Sequence, residues 1–514
     1  MLKKYLNHFK HSLAETSAML CVSSLIIFLI AMVLFIGFKG GQYFVPQSIY
    51  KVVVSFNDGP ASDEAFYQAS SLSAEALQTQ YLERYQGQFL SQPELRPGVS
   101  VTPAEQVYQI NTRSGPVYFG EFYALSSPEQ ELHPLTELEN LKQAVDLLER
   151  SLNEVQGNKL SDLHSRIAAL NNSDVAKEAP ARQDLMDEFS KWQLQASALK
   201  TQIQQFQMRF KEADGSLVSV PLIEIDELFQ ANQLTQIERI GFTLNKLWQF
   251  IADKPKQAAT TGGVFPAIFG TVLMVLLMAV VVAPFGIIAA IYLHEYAPDN
   301  KITGLIRIGI SNMAAVPSIV YGVFGLGFFV YVLGGSLDAL FYSNTLPSPT
   351  FGTPGLLWAS LTMGLLTLPV VIVSAEEGLK RVPEGLRAGS YALGATKYET
   401  VLKVVVPMAS PGMLTGVILA IARAAGEVAP LILVGAVKFA PNLPIDAEFP
   451  FVHLERQFMH LGVFIYDGAF HNQTQTQSAS LMFATCMLLL IIVFLLNISA
   501  IMFRHRLKTR YERH

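Results

Sequence analysis

Glu384 to Ala436 reads EGLRAGSYALGATKYETVLKVVVPMASPGMLTGVILAIARAAGEVAPLILVGA, and the whole chain is read outward from it. Its first half is an amphipathic loop that holds Gly394 and, thirteen residues later, Pro407. Its second half is an apolar helix interrupted by Arg423 and Glu427. Ionised side chains inside a membrane are costly and mark functional positions. Arg423 and Glu427 are four apart, which puts them on one helix face. Two roles are open to the pair. Arg423 can offer its planar fork of donors to a passing oxyanion while Glu427 holds it in place. Alternatively, two buried charges simply offset one another. In the loop, Tyr391, Leu393, Tyr398, Val401 and Leu402 give an apolar stripe on two short helices, and Gly394 permits the turn between them. Such a stripe asks for a partner. The plainer alternative is an ordinary basic loop.

Around this stretch, composition indicates a membrane protein with one large soluble insert. Hydrophobic residues make up 51% and charged residues 15% of 514, and the apolar residues are clustered. The net charge of -5 conceals an asymmetry. Gly40 to Gly262 has ten more acids than bases, and the remainder has five more bases than acids. Cys21 and Cys486 both lie in apolar runs, so no disulfide framework is indicated.

The first apolar run, 16–38, is uncharged and long enough to cross a bilayer. A signal peptide would have a shorter core and a small-residue cleavage site, which Phe-Ile-Gly-Phe-Lys does not supply, so an uncleaved anchor is expected. Five more runs follow at about 266–293, 313–333, 356–374, 413–436 and 480–503. Lys3, Lys4 and Lys10 precede the first. Lys301 and Arg307 follow the second, Lys380, Arg381, Arg387, Lys397 and Lys403 the fourth, and Arg504, Arg506, Lys508, Arg510 and Arg513 the sixth. The alternate loops at 334–355 and 437–477 hold only Lys438 and Arg456. Six spans with both termini in the cytoplasm satisfy the positive-inside rule throughout. Pro284, Pro317, Gly322, Gly325 and Pro369 suggest kinks and close helix contacts facing protein rather than lipid.

The insert, 39–262, then lies outside the cytoplasm. Strand-like alternation occurs at 50–56, 106–110, 117–123 and 217–225. Leu138, Leu141, Val145, Leu148, Leu152 and Val155 step by three and four, as do Phe189, Trp192, Ala196, Leu199, Ile203 and Phe206. With turn formers at 171–182 between them, these seams predict a helical hairpin over about 135–212 in an α+β domain. The hairpin is either a docking surface for a soluble partner or a spacer whose seam is simply core. An amphipathic helix over 226–253, with Trp248 and Phe250 near its end, leads back to the membrane.

No Gly-rich phosphate-cradling loop with Lys-Ser/Thr occurs, so the chain is not expected to hydrolyse ATP. The ten histidines show no metal-ligand spacing, and no cofactor, metal or nucleic-acid partner is expected. Ser318, beside Pro317, can offer a hydroxyl to an ion or cap backbone at a kink. Glu376 and Glu377, ending the fourth span, are expected to face the cytoplasm or the loop, and no transport role is assigned to them.

The loop also resembles a known family. "Ala-Leu-Gly-Ala-Thr-Lys" (392–397) followed by "Val-Val-Val-Pro" (404–407) is similar to the coupling loop of ABC-importer permeases, Glu-Ala-Ala-x3-Gly-x9-Ile-x-Leu-Pro. Gly394 takes the Gly position, Val404 the Ile, Val406 the Leu and Pro407 the Pro. Ala388 stands where the family has Glu, and Gly389 and Ser390 stand where it has Ala. "Ala-Arg-Ala-Ala-Gly-Glu-Val-Ala-Pro-Leu" (422–431) and "Val-Pro-Ser-Ile-Val-Tyr-Gly" (316–322) sharpen the match to the A-type permease (PstA) family of phosphate-specific ABC importers, from Gly262 onward. The resemblance implies a type I importer permease of six membrane helices. It implies inorganic phosphate as substrate, passing Arg423, Glu427 and Ser318. It implies a coupling loop at 375–411, including Arg387, Ala388, Gly389, Ser390, Tyr391, Leu393, Gly394, Ala395, Thr396, Val404, Val406 and Pro407. Its expected partners are the lipid bilayer of a bacterial inner membrane, a homologous second permease, an ATPase dimer and a periplasmic phosphate-binding protein. The corresponding organisation is a cytoplasmic 1–15, a first span 16–38, a periplasmic insert 39–262, a permease core 263–503 and a cytoplasmic tail 504–514. Two rivals remain: a permease for another oxyanion or for peptides, and a membrane scaffold or sensor built on the periplasmic coiled coil.

Overall fold

The computed structural model of the chain describes residues 2–56, 61–69, 97–113, 116–128, 134–171, 180–255, 262–343, 348–440, 442–447, 449, 451–470 and 476–511. Most of the turn-rich stretch 171–182, and 473–475 of a short polar tract, lie outside the described residues. The chain divides into two compact units. One is Met1–Phe44, Lys246–Pro255 and Gly262–His514, and the other is Val45–Asn245 with Lys256–Thr261.

The second unit is α+β. Its strands are β1 (Ser48–Phe56), β2 (Ala61–Ala69), β3 (Pro97–Pro103), β4 (Val107–Thr112), β5 (Val117–Ser126), β6 (Gln207–Lys211), β7 (Leu217–Pro221) and β8 (Ile225–Phe229). They form an antiparallel sheet in the order β7-β6-β5-β4-β8 and a three-stranded sheet β2-β1-β3. Period-two alternation decides which side is core: Met208 and Phe210 are buried, while Lys211 is exposed. The β6–β7 turn depends on Gly215, whose φ of 86° suits glycine. The Asp214 carboxylate accepts from Ser216 N at 2.9 Å there. The helical hairpin forms as the heptad-like seams require. Leu138–Glu154 and, after a wider turn, Ser161–Asn171 pack against Pro180–Gln205. Val145 and Ile203 from its two arms share one core with Ile110, Leu125, Met208 and Phe210.

Among its described residues the first unit holds six helices long and apolar enough to cross a membrane: Thr16–Gly41, Phe265–Tyr296, Ser318–Phe341, Leu356–Lys380, Lys397–Gly426 and Ala479–Arg506. The second, fourth and fifth make the core, with Met274, Met278, Met363, Ala420 and Ala424 buried among them. Small residues let backbones meet where fourth and fifth cross. A Cβ on Gly412 would lie 2.6 Å from Gly378 Cα, and one on Gly416 would lie 2.6 Å from Ser374 Cβ. The first span packs on the sixth, where a Cβ on Gly40 would approach Ala484 N to 2.8 Å.

Two spans differ from the sequence expectation. The third was placed at 313–333, but the chain forms a separate helix, Lys301–Met313, breaks at Pro317, and only then runs from Ser318 to Phe341. The fifth was placed at 413–436, but its helix starts at Lys397 and stops at Gly426. Its early start has a local cause. The Thr396 hydroxyl accepts from Glu399 N and the Glu399 carboxylate accepts from Thr396 N, a capping box that launches the helix. A wider turn at Val401–Val405 then leads into Val406–Gly426, with Pro407 in its first turn, where a missing N–H is tolerated. The loop between the flanking spans therefore runs over 381–396, within the expected 375–411, and Glu384–Ala392 in it is helical.

Candidate functional site

The fifth span ends inside the bundle. Glu427 has extended backbone (φ -84°, ψ 131°), and a short helix, Ala429–Val434, follows. Pro430 enforces the break, because it cannot donate to Gly426 O. Arg423 and Glu427 thus do not share a continuous helix, as their spacing implied. They still meet: Arg423 Nε lies 3.5 Å from Glu427 Oε1. Their side chains are 36% and 26% exposed, so the pair is reachable from outside the protein core.

The short helix Ala429–Val434 packs on Ser318–Phe324. Gly322 permits the approach, since a Cβ there would stand 2.7 Å from Pro430 Cα. Ser318 is half-buried and is the first helical residue after Pro317. One turn on, Tyr321 lies within electrostatic reach of Arg423. Its hydroxyl donates to Met313 O at 2.7 Å and ties the two sides of the Pro317 break. Sequence reasoning missed Tyr321, although an aromatic hydroxyl one turn after a proline in an apolar run was the available signal. Two discontinuous spans therefore pack on one another beside the break that carries the ion pair. Irregular backbone at membrane depth is tolerated where it is buried in protein or lines an aqueous cavity.

At the other end of the fourth and fifth spans, Glu384–Ala392 is a separate helix ended by Gly394 at φ 85°. The stripe expected there is exposed at Tyr391, Leu393, Tyr398 and Leu402, with Leu393 91% exposed. Val401 instead is buried, although the same fifth-span helix carries Tyr398 and Leu402. Ala388 and Gly389 are exposed, Ala395 is half-buried, and Ser390 Oγ lies 2.9 Å from Thr400 Oγ1. Val404, Val406 and Pro407 are half-buried on the continuing helix. Arg387 turns inward, donating from Nη2 to Glu295 Oε1 at 2.9 Å and to Leu379 O at 3.1 Å, and from Nη1 to Val382 O at 3.0 Å.

Glu376 corrects an expectation. It is buried and accepts from Arg307 Nε at 3.3 Å. The helix Lys301–Met313 covers it, and that helix was invisible as a separate element in the sequence. Among the described residues no group of His, Cys, Asp or Glu could hold a metal ion.

Among the described residues, six helices apolar enough to cross a membrane, the fifth broken at a charged pair, define a polytopic membrane protein. Residues 283–509 match the family model of the binding-protein-dependent transport system inner membrane component. The chain is 32% identical over 247 residues to phosphate transport system permease protein PstA of Yersinia pestis, covering 48% of this chain and 74% of that protein. It is 34% identical over 191 residues to phosphate transport system permease protein PstA 1 of Mycobacterium tuberculosis, covering 37% of this chain and 56% of that protein. A probable ABC transporter permease protein of Bacillus subtilis, YqgI, is 31% identical over 204 residues, 40% of this chain and 63% of that protein. The chain thus spans little more than half the length of the Mycobacterium relative. It belongs to the binding-protein-dependent transport permease family, as a PstA-type member.

Proposed function

We propose that this chain is one permease subunit of an ATP-driven phosphate importer in a bacterial inner membrane. Its termini lie in the cytoplasm and its insert in the periplasm. The observation that carries the reading is the Arg423–Glu427 pair, 3.5 Å apart where the fifth span breaks. Phosphate must cross a layer of low dielectric with its charge intact. A fixed guanidinium lowers that barrier and matches the oxyanion with parallel donors. A free cation would hold the ion too tightly, so Glu427 moderates it. Ser318 adds a hydroxyl at the start of a 24-residue helix, whose N-terminal end favours an anion.

A homologous second permease completes the pathway, and a periplasmic phosphate-binding protein delivers the ion. One copy of an ATPase dimer grips the exposed Tyr391, Leu393, Tyr398 and Leu402, the other copy serves the second permease, and nucleotide binding rocks the spans between inward and outward access. Deleting the protein from cells lacking other phosphate importers should abolish phosphate uptake and leave sulfate and molybdate uptake intact. Loss of molybdate or sulfate uptake with phosphate intact would make it a permease for another oxyanion.

A further inference from the structure

The helix Glu384–Ala392 is joined covalently to two spans. Residues 381–383 connect it to the fourth, and 393–396 connect it to the fifth. Any movement of this helix therefore reaches those two spans through the backbone. The second span has no such connection, although it is part of the same core.

Side chains supply one. Arg387 reaches from the middle of Glu384–Ala392 to Glu295, which sits in the wide helical turn Tyr292–Tyr296 that ends the second span. The Arg387 and Glu295 side chains are 17% and 8% exposed, so the contact is shielded from water. A charge-assisted hydrogen bond in such surroundings is short and strong, and the planar fork fixes its direction. The same guanidinium donates to Leu379 O and Val382 O at the end of the fourth span. One side chain thus clamps three elements. Two further basic residues hold the same five-residue turn. Arg307 Nη2 donates to Leu293 O at 2.8 Å while its Nε engages Glu376. Lys397 Nζ, at the start of the fifth span, lies 5.1 Å from the centre of the Tyr296 ring. His294 Nε2 is the other group near Glu295, at 3.9 Å.

Capping the fourth span alone would account for the two carbonyl contacts but not for Glu295. Resting on the transport reading above, we infer that Arg387 is the positioning residue that carries motion of the Glu384–Ala392 helix to the second span, through Glu295. The side chain touches no substrate. Its loss leaves the fourth and fifth spans driven and the second lagging, so ATP is consumed with fewer ions moved.

The test uses the full complex of this chain with its partner subunits, reconstituted in vesicles. Phosphate transported per ATP hydrolysed is measured for wild type, Arg387→Gln, Glu295→Gln and the charge-swapped R387E/E295R pair. Each single variant should lower the ratio about tenfold, the effect of a coupling free energy in the usual allosteric range. The swapped pair should recover much of it. Wild-type ratios in both single variants would overturn the inference. So would loss of the ATPase from the Arg387→Gln complex, which would make Arg387 a docking residue instead. If the singles fail to accumulate, the swapped pair decides: a ratio near wild type supports the link, and a ratio still depressed overturns it. A complex that moves no phosphate even as wild type would refute the transported solute but not the link. For that case spin labels at Phe265 and Leu340 report the nucleotide-driven distance between the far ends of the second and third spans. Arg387→Gln should abolish that change, and an unaltered change would refute the link.

Discussion

Replacing Gly412 by alanine tests the close crossing of the fourth and fifth spans. The added Cβ would lie 2.6 Å from Gly378 Cα and 3.5 Å from Gly378 N. Comfortable carbon–carbon separation is about 3.5–4.0 Å, so the helices must part by roughly 1 Å. The obstructing atoms are backbone, and no side chain can rotate away to relieve the contact. Overpacking of this kind costs about 1–3 kcal/mol. Gly385→Ala is the matched control, because that glycine is also helical and a Cβ there meets nothing within 4 Å. It should stabilise the helix by about 0.5–1 kcal/mol, the usual gain of alanine over glycine. Thermal melting of the detergent-solubilised protein reads both. Gly412→Ala should melt below wild type and Gly385→Ala at or above it. A Gly412→Ala protein that melts with the control would refute the crossing.

Three further outcomes follow from single positions. Gly394 adopts φ 85° with open space around it, so Gly394→Val should cost about 1–2 kcal/mol through backbone conformation alone. That variant should retain less ATPase on co-purification than Gly394→Asn, and equal retention would show that the turn does not matter for docking. Ser197 is exposed on the hairpin, and a Ser197→Cys substitution in a chain lacking Cys21 and Cys486 should react with a membrane-impermeant reagent in intact spheroplasts. Reaction only after lysis would reverse the topology. Burial pushes the His460 imidazole down to about 4, so the unfolded chain takes up its proton first as pH falls. Stability should therefore drop between about pH 6.5 and 4, by about 2 kcal/mol at pH 5, and His460→Asn should flatten the pH dependence of melting.

The sequence was most legible where one physical rule acted alone. Runs of apolar residues located six spans because water exclusion needs little else. The heptad-like seams located the hairpin, whose Val145 and Ile203 lie in the core, and alternation located some of the strands but not β2, β3 or β6, the last of which falls within the expected hairpin 135–212. Reading failed where two rules competed. Lys397 and Lys403 read as loop residues, yet the Thr396–Glu399 capping box starts the fifth helix there. Apolar content continued through Ala436, yet Pro430 broke the helix at Glu427. The charge pair was legible from its spacing, although a continuous helix was the wrong carrier for it. The inward turn of Arg387 and the burial of Glu376 were not legible. Both depend on tertiary partners, Glu295 and Arg307, far away in the chain.

The account stands most directly on Arg423. Phosphate uptake should be measured in cells lacking other phosphate importers, normalised to assembled complex. Arg423→Gln should lose uptake. Arg423→Lys should recover only part, because an ammonium lacks the planar fork. Glu427→Gln should also impair uptake, by leaving Arg423 unbalanced. The decisive comparison is the double variant Arg423→Met, Glu427→Leu, since a purely structural ion pair can be replaced by apolar groups without loss. The account predicts that this double variant accumulates and transports no phosphate, and full uptake by it would contradict the role given to the pair.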